Sequence, residues 1–542
     1  MKVLSAAEMQ ACDRATTERF GIPSIELMRA AANAVADIAR TEWPQARRVT
    51  VLCGRGNNGG DGMMAARLLA AAGLDVTTIL LGSAHALKGD AAEAWRELTN
   101  PAQGKIRAVN SPEELAELSE AFQNDLILDA ILGTGFKPPM TGLPMAALER
   151  VKASSVPVLA VDLPSGWPAD ETNATTDAPV FPADAVVTFT APKPAHVFGQ
   201  LTRLWHQPIV VAPIGSPEEA IVSSLGIEWA GSALEMAQRP RPADSNKGKF
   251  GHVLVVGGST GKSGAPAMAS VAALRAGAGL VTAAVPEPIL PLVAAIAPEL
   301  MTYALVATAE GQIAEANLEP KRLEEYTARI TVLALGPGLG HSPETARFVV
   351  RLLSSTKIPA VVDADALNIL AAERVELATL TKERTVVLTP HPGEMARLAG
   401  TSIAAIQANR LEAARAFVGR TGVTLVLKGA RTIIAHPDGR VAVNTTGNPG
   451  MAKGGSGDLL TGLIAGLLAQ HPNEPGRAIE AAVYLHGLAA DLTVERGDEH
   501  TLLATDSLSQ LSRAFRFQSR RANGYVWLQG ASHAAAPREA EA

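Results

Sequence analysis

The chain has 542 residues, of which 47% are hydrophobic, 19% charged and 4% aromatic. This composition is typical of soluble folded domains, excludes a disordered chain and predicts roughly two to four domains. Its 48 basic and 54 acidic residues give a formal net charge of −6, without the basic excess of nucleic-acid-binding proteins. Cys12 and Cys53, the two cysteines, are too few for a disulfide framework or a thiolate zinc site. No apolar run reaches the ~18 residues that span a bilayer. We therefore expect a cytoplasmic protein without membrane or nucleic-acid partners.

The first half predicts an α/β domain. Ser5 and Glu8 form a capping box that opens one helix, and a second helix is predicted over 25–40. Short apolar runs then alternate with helical stretches, a pattern that predicts a mostly parallel sheet covered on both faces. The predicted strands are 49–53, 76–81, 126–130, 156–161, 185–190 and 209–212.

A second α/β domain is predicted after a boundary at 226–249, which is rich in proline and charge. Its predicted strands are 252–256, 280–285, 331–335, 359–362, 385–388 and 424–427, followed by a hairpin over 432–444 and helices at 458–469 and 477–496. The small, polar residues of the C-terminus predict a disordered tail. The predicted organisation is therefore a domain at 1–225, a domain at 240–518 and a tail at 519–542.

The first predicted strand leads directly into a glycine-rich loop, GRGNNGGDG at 54–62. Glycines let the backbone approach a phosphate, and the following helix N-terminus supplies oriented N–H groups. The paired asparagines depart from the dinucleotide fingerprint, and an asparagine oxygen can ligate a cation. A tight turn without a ligand is the alternative interpretation.

Two further strands of the first half end in carboxylates, Asp129 and Asp162, and Ser165 follows the second of them. Each aspartate alone is explained equally well by a cap or a turn. Because ligands gather at the carboxyl ends of parallel strands, the set beside the glycine loop predicts a site that holds a cation and moves protons.

The second half contains a comparable loop, NPGMAKGGSGD at 448–458, that runs into a helix. Its amides predict an anion-binding site, and Asp458 lies at the helix start, as a cap or as a proton-transfer group. Lys428 and Arg431 follow a strand and are suited to nucleotide phosphates. The segment GGSTGKSGA at 257–265 resembles a Walker A motif but lacks its spacing, which excludes a P-loop NTPase.

These motifs resemble two known domain families. GNNGGDG, LDAILGTG and VDLPSGW resemble the YjeF N-terminal domain, the NAD(P)H-hydrate epimerase, which is Rossmann-like. GPGLG, DADALN, TPHPGEM, LKGART and NTTGNPGMAKGGSGDLL resemble the YjeF C-terminal domain, the ADP-dependent NAD(P)H-hydrate dehydratase, which is ribokinase-like. Their fusion is similar to the bifunctional NAD(P)H-hydrate repair enzymes of bacteria, over about residues 1–215 and 240–515.

The resemblance implies a substrate, cofactors and partners. The substrate would be NADH or NADPH that has added water across the 5,6 double bond of its dihydronicotinamide ring. The first half would interconvert the R and S hydrates with a bound K⁺, and the second would dehydrate the S hydrate with ADP and Mg²⁺. The resemblance also leads us to expect a homo-oligomer. The preference for NADH or NADPH, and for ADP or ATP, stays open.

The resemblance also implies site residues. In the first half, the hydrate would contact Asn57, Asn58, Gly59, Gly60, Asp61, Gly133, Thr134, Gly135, Phe136, Lys137, Pro138, Pro139 and Asp162, and K⁺ would bind Asn58, Asp129 and Ser165. In the second half, the hydrate would contact Ala265, Gly338, His391 and Asp458, and the nucleotide would contact Lys428, Gly429, Ala430, Arg431, Thr432 and Gly457. Asp162 and Asp458 are expected to transfer protons. The roles of Asp363, Asp365 and Glu394 stay open.

Two other functions compete with this interpretation. GGSGD and Glu394 fit a ribokinase-like small-molecule kinase, but the turn containing His391 fits the dehydratase better. The first half could instead be a non-catalytic binding module. Asn58, Asp129, Asp162 and Ser165, together with the acidic net charge, favour an enzyme.

Overall fold

The computed structural model describes residues 1–495 and 497–530. The chain divides into two compact units, one formed by Met1–Gly226 with residues 518–530, the other by Ile227–Phe517. Within the described residues, every helix is too short or too polar to cross a membrane. The predicted α/β class is confirmed in both units.

The first unit is a doubly wound α/β domain. Its strands up to the unit boundary are β1 (Arg48–Cys53), β2 (Asp75–Leu81), β3 (Lys105–Val109), β4 (Leu126–Ala130), β5 (Val158–Val161), β6 (Ala185–Phe189) and β7 (Ile209–Ala212). Its helices are α1 (Ala6–Glu18), α2 (Ser24–Glu42), α3 (Asn57–Ala71), α4 (Gly89–Thr99), α5 (Pro112–Ala116), α6 (Leu143–Ala153) and α7 (Pro194–Phe198). The predicted capping box is confirmed, because Ser5 Oγ accepts the Glu8 amide and Glu8 Oε2 accepts the Ser5 amide.

The second unit is built on a larger mixed sheet. Its strands are β8 (Ile227–Trp229), β9 (His252–Val256), β10 (Leu280–Pro286), β11 (Met301–Leu305), β12 (Val332–Leu335), β13 (Ala360–Val362), β14 (Val386–Leu388), β15 (Thr424–Leu427), β16 (Ile433–Ala435) and β17 (Val441–Val443). Its helices are α8 (Leu234–Ala237), α9 (Gly264–Ala276), α10 (Leu290–Ala294), α11 (Pro320–Thr327), α12 (Pro343–Ser355), α13 (Asp365–Ala372), α14 (Leu377–Leu380), α15 (Pro392–Ala399), α16 (Ile403–Ala408), α17 (Arg410–Thr421), α18 (Ser456–Gln470), α19 (Pro475–Val494) and α20 (Ala504–Arg516).

The strand order explains where ligands can bind. Seven strands of the first sheet, in the order β7-β6-β5-β4-β1-β2-β3, are parallel, so the direction of winding reverses between β1 and β4. A crevice opens at such a reversal, at the carboxyl ends of the strands. The second sheet runs β11-β10-β9-β12-β13-β14-β15-β16-β17-β8, and its β15–β16–β17 part is antiparallel, which confirms the predicted hairpin.

Helix α18 is the buried axis of the second unit, with every residue from Leu459 to Ala469 buried. A Cβ on Gly462 would lie 2.1 Å from the Ala269 carbonyl oxygen of α9, and one on Gly466 would lie 2.7 Å from that of Ala273. The two helices therefore meet backbone to backbone, which only glycine permits. This contact fixes the start of α18, where Asp458 lies.

The domain limits predicted from the sequence need two corrections. Residues 227–239 belong to the second unit, because β8 pairs in parallel with β17. The tail predicted to be disordered forms a final strand, β18 (Val526–Gln529), which pairs antiparallel with β7 and buries Trp527. The short, mostly apolar segment Val526–Gln529, which lies among polar residues, forms this strand. Disorder is therefore wrong for 519–530, and 531–542 lie outside the described residues.

Candidate active sites

A cavity of about 1020 Å³ lies in the first unit, at the carboxyl ends of β1 and β4. Its walls come from α1, α2, the β1–α3 loop, the loop after β4, and Asp162 with Lys193. The predicted substrate residues that line it are Asn57, Asn58, Asp61, Gly133, Thr134, Gly135, Phe136 and Asp162. The structure thus brings most of the predicted first site together. Gly59, Gly60, Lys137, Pro138 and Pro139 lie outside the lining.

The buried glycines of the first loop allow close packing of neighbouring segments. A Cβ on Gly59 would lie 1.9 Å from the Gly54 carbonyl oxygen, and one on Gly54 would lie 2.0 Å from that of Ile131. A Cβ on Gly60 would strike the side chain of Met28. These glycines let the β1–α3 loop lie directly on the loop after β4. Gly59 and Gly60 therefore support the loops that line the cavity without lining it themselves.

Asp162 is held by three hydrogen bonds to its carboxylate. Oδ1 accepts from Lys193 Nζ at 2.8 Å and from Thr188 Oγ1 at 2.9 Å, and Oδ2 accepts from the Thr134 amide at 3.0 Å. A Cβ on Gly133 would lie 3.0 Å from Oδ2, so glycine is needed for this approach. The Asp162–Lys193 ion pair is almost completely buried.

The backbone of Asp162 is fixed in the left-handed region, at φ +66°. Its amide donates to the Val187 carbonyl, and its own carbonyl lies 2.7 Å from His196 Nε2. His196 Nδ1 accepts the Lys193 amide at 3.0 Å, so Nε2 must carry the proton and donate it to the Asp162 carbonyl. Burial, with the charge of Lys193, lowers the pKa of His196 to about 4. A neutral histidine therefore supports a strained backbone at the site.

The charge state of Asp162 does not fit the proton-transfer role expected for it. Burial raises its pKa, but the charge of Lys193 and the hydrogen bonds from Lys193 and Thr188 outweigh burial and bring the pKa down to about 2. Such a carboxylate stays ionised at neutral pH and is a weak base. Lys193, which was not among the residues predicted from the sequence, causes this low pKa. Its position just beyond the end of a buried strand, β6, is the sequence feature that could have identified it.

The three predicted K⁺ ligands lie beside this cavity. Asp129 is fully buried, and its two oxygens accept from the Ser165 hydroxyl at 2.6 Å and the Ser165 amide at 2.8 Å. Burial raises the pKa of Asp129 to about 6, although the hydrogen bonds from Ser165 oppose the shift. Both polar atoms of the Asn58 side chain are buried without a hydrogen-bond partner among the described residues. Such orphaned atoms are rare in folded proteins unless a ligand binds them.

In the second unit, Lys428 lies among acidic side chains. Its Nζ donates to Asp363 Oδ1 at 2.8 Å and lies 3.9 Å from Glu394 Oε2. Burial lowers the pKa of Lys428, but the charges of Asp363 and Glu394 outweigh burial and raise it. Thr461 of α18 donates to the other oxygen of Asp363 at 2.8 Å. Asp363 and Glu394, whose roles the sequence left open, thus fix a permanently charged lysine beneath α18.

Asp458 lies in the first turn of α18, close to this cluster. Burial and the charge of Asp363 raise its pKa to about 6, although Lys428 opposes the shift. A Cβ on Gly457 would lie 3.4 Å from Lys428 Nζ, so this residue of the glycine loop and the lysine are neighbours. A carboxyl whose pKa lies near neutrality is suited to general acid–base catalysis.

The remaining predicted substrate residues of the second unit lie in strand-end turns. A Cβ on Gly338 would lie 3.3 Å from Ala265 Cβ, so these two residues are neighbours. Asp365 accepts the Gly340 amide at 2.8 Å and pairs with Lys262 at 3.2 Å, which holds the Gly338 turn. In another turn, His391 caps α15, and its Nδ1 accepts the Gly393 amide.

The predicted nucleotide turn, 428–432, uses its two cations internally. Lys428 pairs with Asp363, and Arg431 donates to the Thr445 carbonyl at 3.0 Å. Burial lowers the pKa of Arg431 to about 10. Arg410 of α17 donates to the carbonyls of Leu427, Lys428 and Ala430 and so holds the turn in place. Lys428 and Arg431 thus have partners within the protein, and their contact with the phosphates stays a prediction.

Comparison with known proteins finds matches to both halves of the chain. Family models match residues 24–195 (YjeF-related protein N-terminus) and 253–513 (NAD(P)H-hydrate dehydratase). The bifunctional NAD(P)H-hydrate repair enzyme Nnr of Moorella thermoacetica is 42% identical over 95% of this chain and 97% of that protein. The chain belongs to the family of bifunctional NAD(P)H-hydrate repair enzymes. The Escherichia coli member is 37% identical over 94% of this chain and 93% of that protein.

Among solved structures, the ADP/ATP-dependent NAD(P)H-hydrate dehydratase of Bacillus subtilis, co-crystallized with ATP/Mg²⁺, is 32% identical. The alignment covers 52% of this chain and 96% of that chain, with a TM-score of 0.44. The predicted family is confirmed by the family models and the relatives, and the predicted α/β class is confirmed by the two sheets.

Proposed function

We propose that the first unit interconverts the R and S hydrates of NADH and NADPH, and that the second unit dehydrates the S hydrate in an ADP-dependent reaction. The observation that carries this proposal is Asp458, a half-buried carboxyl with a pKa of about 6 at the start of α18. It lies beside a glycine loop in a chain whose relatives are bifunctional over nearly their whole length.

The chemistry of the hydrate explains why both units need a proton-transfer group. The hydrated carbon carries a hydroxyl and is bonded to the ring nitrogen. The nitrogen lone pair expels the hydroxyl as water once an acid protonates it, which leaves an iminium ion. Water that returns to the opposite face inverts the carbon. Loss of the neighbouring C5 proton instead restores the double bond of the dihydronicotinamide.

In the first unit, the amides at the start of α3 bind the diphosphate of the substrate. Asp162 presents a fixed, ionised carboxylate to the cavity and orients the ring by accepting its hydrogen bonds. Lys193 and Thr188 hold that carboxylate in place. We assign Asp162 to orientation rather than to proton transfer, because its pKa is about 2.

K⁺ would be held by Asn58 Oδ1, the Asp129 carboxylate and Ser165 Oγ. The fit rests on the orphaned polar atoms of Asn58 and on the buried, negatively charged oxygens of Asp129. When bound, K⁺ supplies a positive charge beside the glycine loop that attracts the anionic part of the substrate. These oxygens are hard ligands of the kind that alkali cations prefer.

If K⁺ binds at this site, K⁺ should stabilise the first unit more than Na⁺ does. The first thermal transition of the protein should rise in KCl relative to NaCl at equal ionic strength, because binding to the native state alone stabilises it. Asn58→Ala should abolish the difference. Asn33→Ala, which removes an exposed asparagine of α2, should keep it. Equal melting of the unmodified protein in the two salts would contradict the site.

In the second unit, Asp458 protonates the leaving hydroxyl, and Lys428 fixes the charge around it. The adenine nucleotide, with Mg²⁺, lies against Gly457 and the turn at 428–432. Because Lys428 and Arg431 have internal partners, the backbone amides of this turn, held by Arg410, contact the phosphates. The homo-oligomer expected from the resemblance is part of the same proposal.

The test supplies purified protein with separated R and S hydrates of NADH and with ADP, and follows the dihydronicotinamide absorbance and the epimer ratio. We expect complete recovery from both epimers. Recovery from the S hydrate alone, beyond spontaneous exchange, would rule out epimerisation by the first unit. Failure of both, with transfer of phosphate from ATP to an added alcohol, would favour the kinase.

A further inference from the structure

Helix α1 contributes one carboxyl, Asp13, to the cavity of the first unit. Asp13 Oδ1 is buried and has no hydrogen-bond partner among the described residues. Met9 and Gln10 of the same helix also line the cavity, so α1 forms a wall of the site and not merely a nearby surface. The motifs that carry the family resemblance lie outside this helix.

Asp61 contributes a second carboxyl to the same cavity from the first turns of α3. Asp13 and Asp61 therefore reach the cavity from two different helices, α1 and α3. Both lie near the Asp162–Lys193 pair, whose charges act on each of them. Asp13 and Asp61 thus line the cavity together with Asp90 and Asp162.

Two other titratable groups at or near the cavity, Lys193 and His196, have fixed partners. Lys193 donates to Asp162 and Thr188, and the two ring nitrogens of His196 are committed to backbone groups. Asp90, in the first turn of α4, and Arg55 also line the cavity. Arg14, beside Asp13 on α1, is exposed. Asp13 and Asp61, whose pKa values burial raises, are the candidates for exchanging protons with a ligand.

We infer that Asp13 and Asp61 are the acid–base pair of the epimerase site, acting on opposite faces of the hydrated ring. This inference rests on the proposed function of the first unit. Asp61 gives its proton to the hydroxyl, the C–O bond breaks, and water leaves. A water molecule then adds to the iminium carbon from the other face and gives its proton to Asp13. Reaction of the other epimer reverses the two roles.

The surroundings of Asp13 and Asp61 raise their pKa values to different extents. Burial raises the pKa of Asp13, opposed by Lys193, whereas burial and the charges of Asp162 and Asp13 raise the pKa of Asp61 well above the usual range. Asp61 is therefore the more readily protonated of the two. Two carboxyls whose pKa values are pushed apart are a common arrangement for an acid and a base.

Isotope exchange distinguishes this pair from a structural role. Each hydrate is incubated in H₂¹⁸O without ADP, and ¹⁸O incorporation and inversion are measured separately, with spontaneous exchange subtracted. Asp13→Asn and Asp61→Asn should each reduce inversion by about 10²- to 10⁴-fold. Each variant should still catalyse ¹⁸O exchange of one epimer without inversion, and the retained epimer should differ between the two.

Glu18→Gln changes an exposed carboxyl of α1 outside the cavity and serves as the matched control, with inversion unchanged. Calorimetric unfolding of the first unit, which contains both carboxyls, reports whether each variant is folded. Normal inversion in Asp13→Asn, or equal loss of both exchange reactions in both variants, would overturn the pair while the proposed function stands. Absence of inversion in the unmodified protein would instead remove the proposed function itself.

Discussion

Asp458→Asn should reduce dehydration of the S hydrate by about 10²- to 10⁴-fold, the usual contribution of a general acid. Asparagine has nearly the same shape but carries no transferable proton. Binding of the adenine nucleotide should persist, because the amides of the glycine loop and of the turn at 428–432 are unchanged. Single-turnover dehydration and equilibrium binding of ADP measure the two effects separately.

The pH dependence of dehydration gives a second measure of Asp458. Its pKa of about 6 is raised by burial and by the charge of Asp363. An acid donates only while it is protonated, so the rate in the unmodified protein should fall as the pH rises through about 6. The residual rate of Asp458→Asn should lack this fall.

Asp506 provides a matched control for Asp458. It also lies in the first turn of a helix, α20, where it accepts the Leu503 amide at 2.9 Å. Asp506→Asn removes a carboxylate from the start of a helix that is not part of the proposed active site. This variant should dehydrate the S hydrate at the rate of the unmodified protein. If Asp458→Asn dehydrates as fast as Asp506→Asn, Asp458 is only a helix cap and another group must protonate the hydroxyl.

Local sequence patterns predict the strands and the loops of this protein well. A strand followed by a glycine loop and a helix start is determined by contiguous residues, so the positions of Asp162 and Asp458 at strand and helix ends are predictable. The carboxyl ends of parallel strands meet at one edge of a sheet, which is why the order of the strands alone groups Asn58, Asp129 and Ser165.

Long-range partners cannot be predicted in the same way. Lys428 and Asp363 are 65 residues apart, and their pairing depends on β13 and β15 both flanking β14. The sequence alone does not show this pairing, so it predicts that the Lys428 side chain binds phosphate. Lys193 likewise converts Asp162 from a candidate acid into a fixed anion, through a contact between residues 31 positions apart. Charge states depend on tertiary neighbours, and a motif contains only local ones.

The glycines of a motif illustrate the same limit. GNNGGDG predicts a ligand loop whose residues contact the substrate. Gly59 instead faces the Gly54 backbone, and only Asn57, Asn58 and Asp61 of the predicted set in this loop reach the cavity. Sequence pattern alone cannot separate a glycine that admits a ligand from one that admits another segment of backbone.

Gly59→Ala should therefore damage the first unit while it spares the second. The added Cβ would lie 1.9 Å from the Gly54 carbonyl oxygen, and a backbone atom cannot move aside as a side chain can. We expect a loss of about 3 kcal/mol in the stability of the first unit, at the upper end of overpacking costs. Epimerisation should fall with it. Calorimetric unfolding, with epimerase and dehydratase assays on the same sample, measures all three quantities.

Gly56→Ala is the matched control, because the same loop leaves open space around its Cβ and its φ is −98°. This variant should unfold at the temperature of the unmodified protein. If Gly59→Ala were equally harmless, the loops after β1 and β4 could separate without cost, and the cavity would not depend on their close contact. If it melted early and lost dehydration as well, the two units would share stability. We expect epimerisation to be lost and dehydration to be kept. That result would show that the epimerase site depends on the close packing that the glycines of the motif allow.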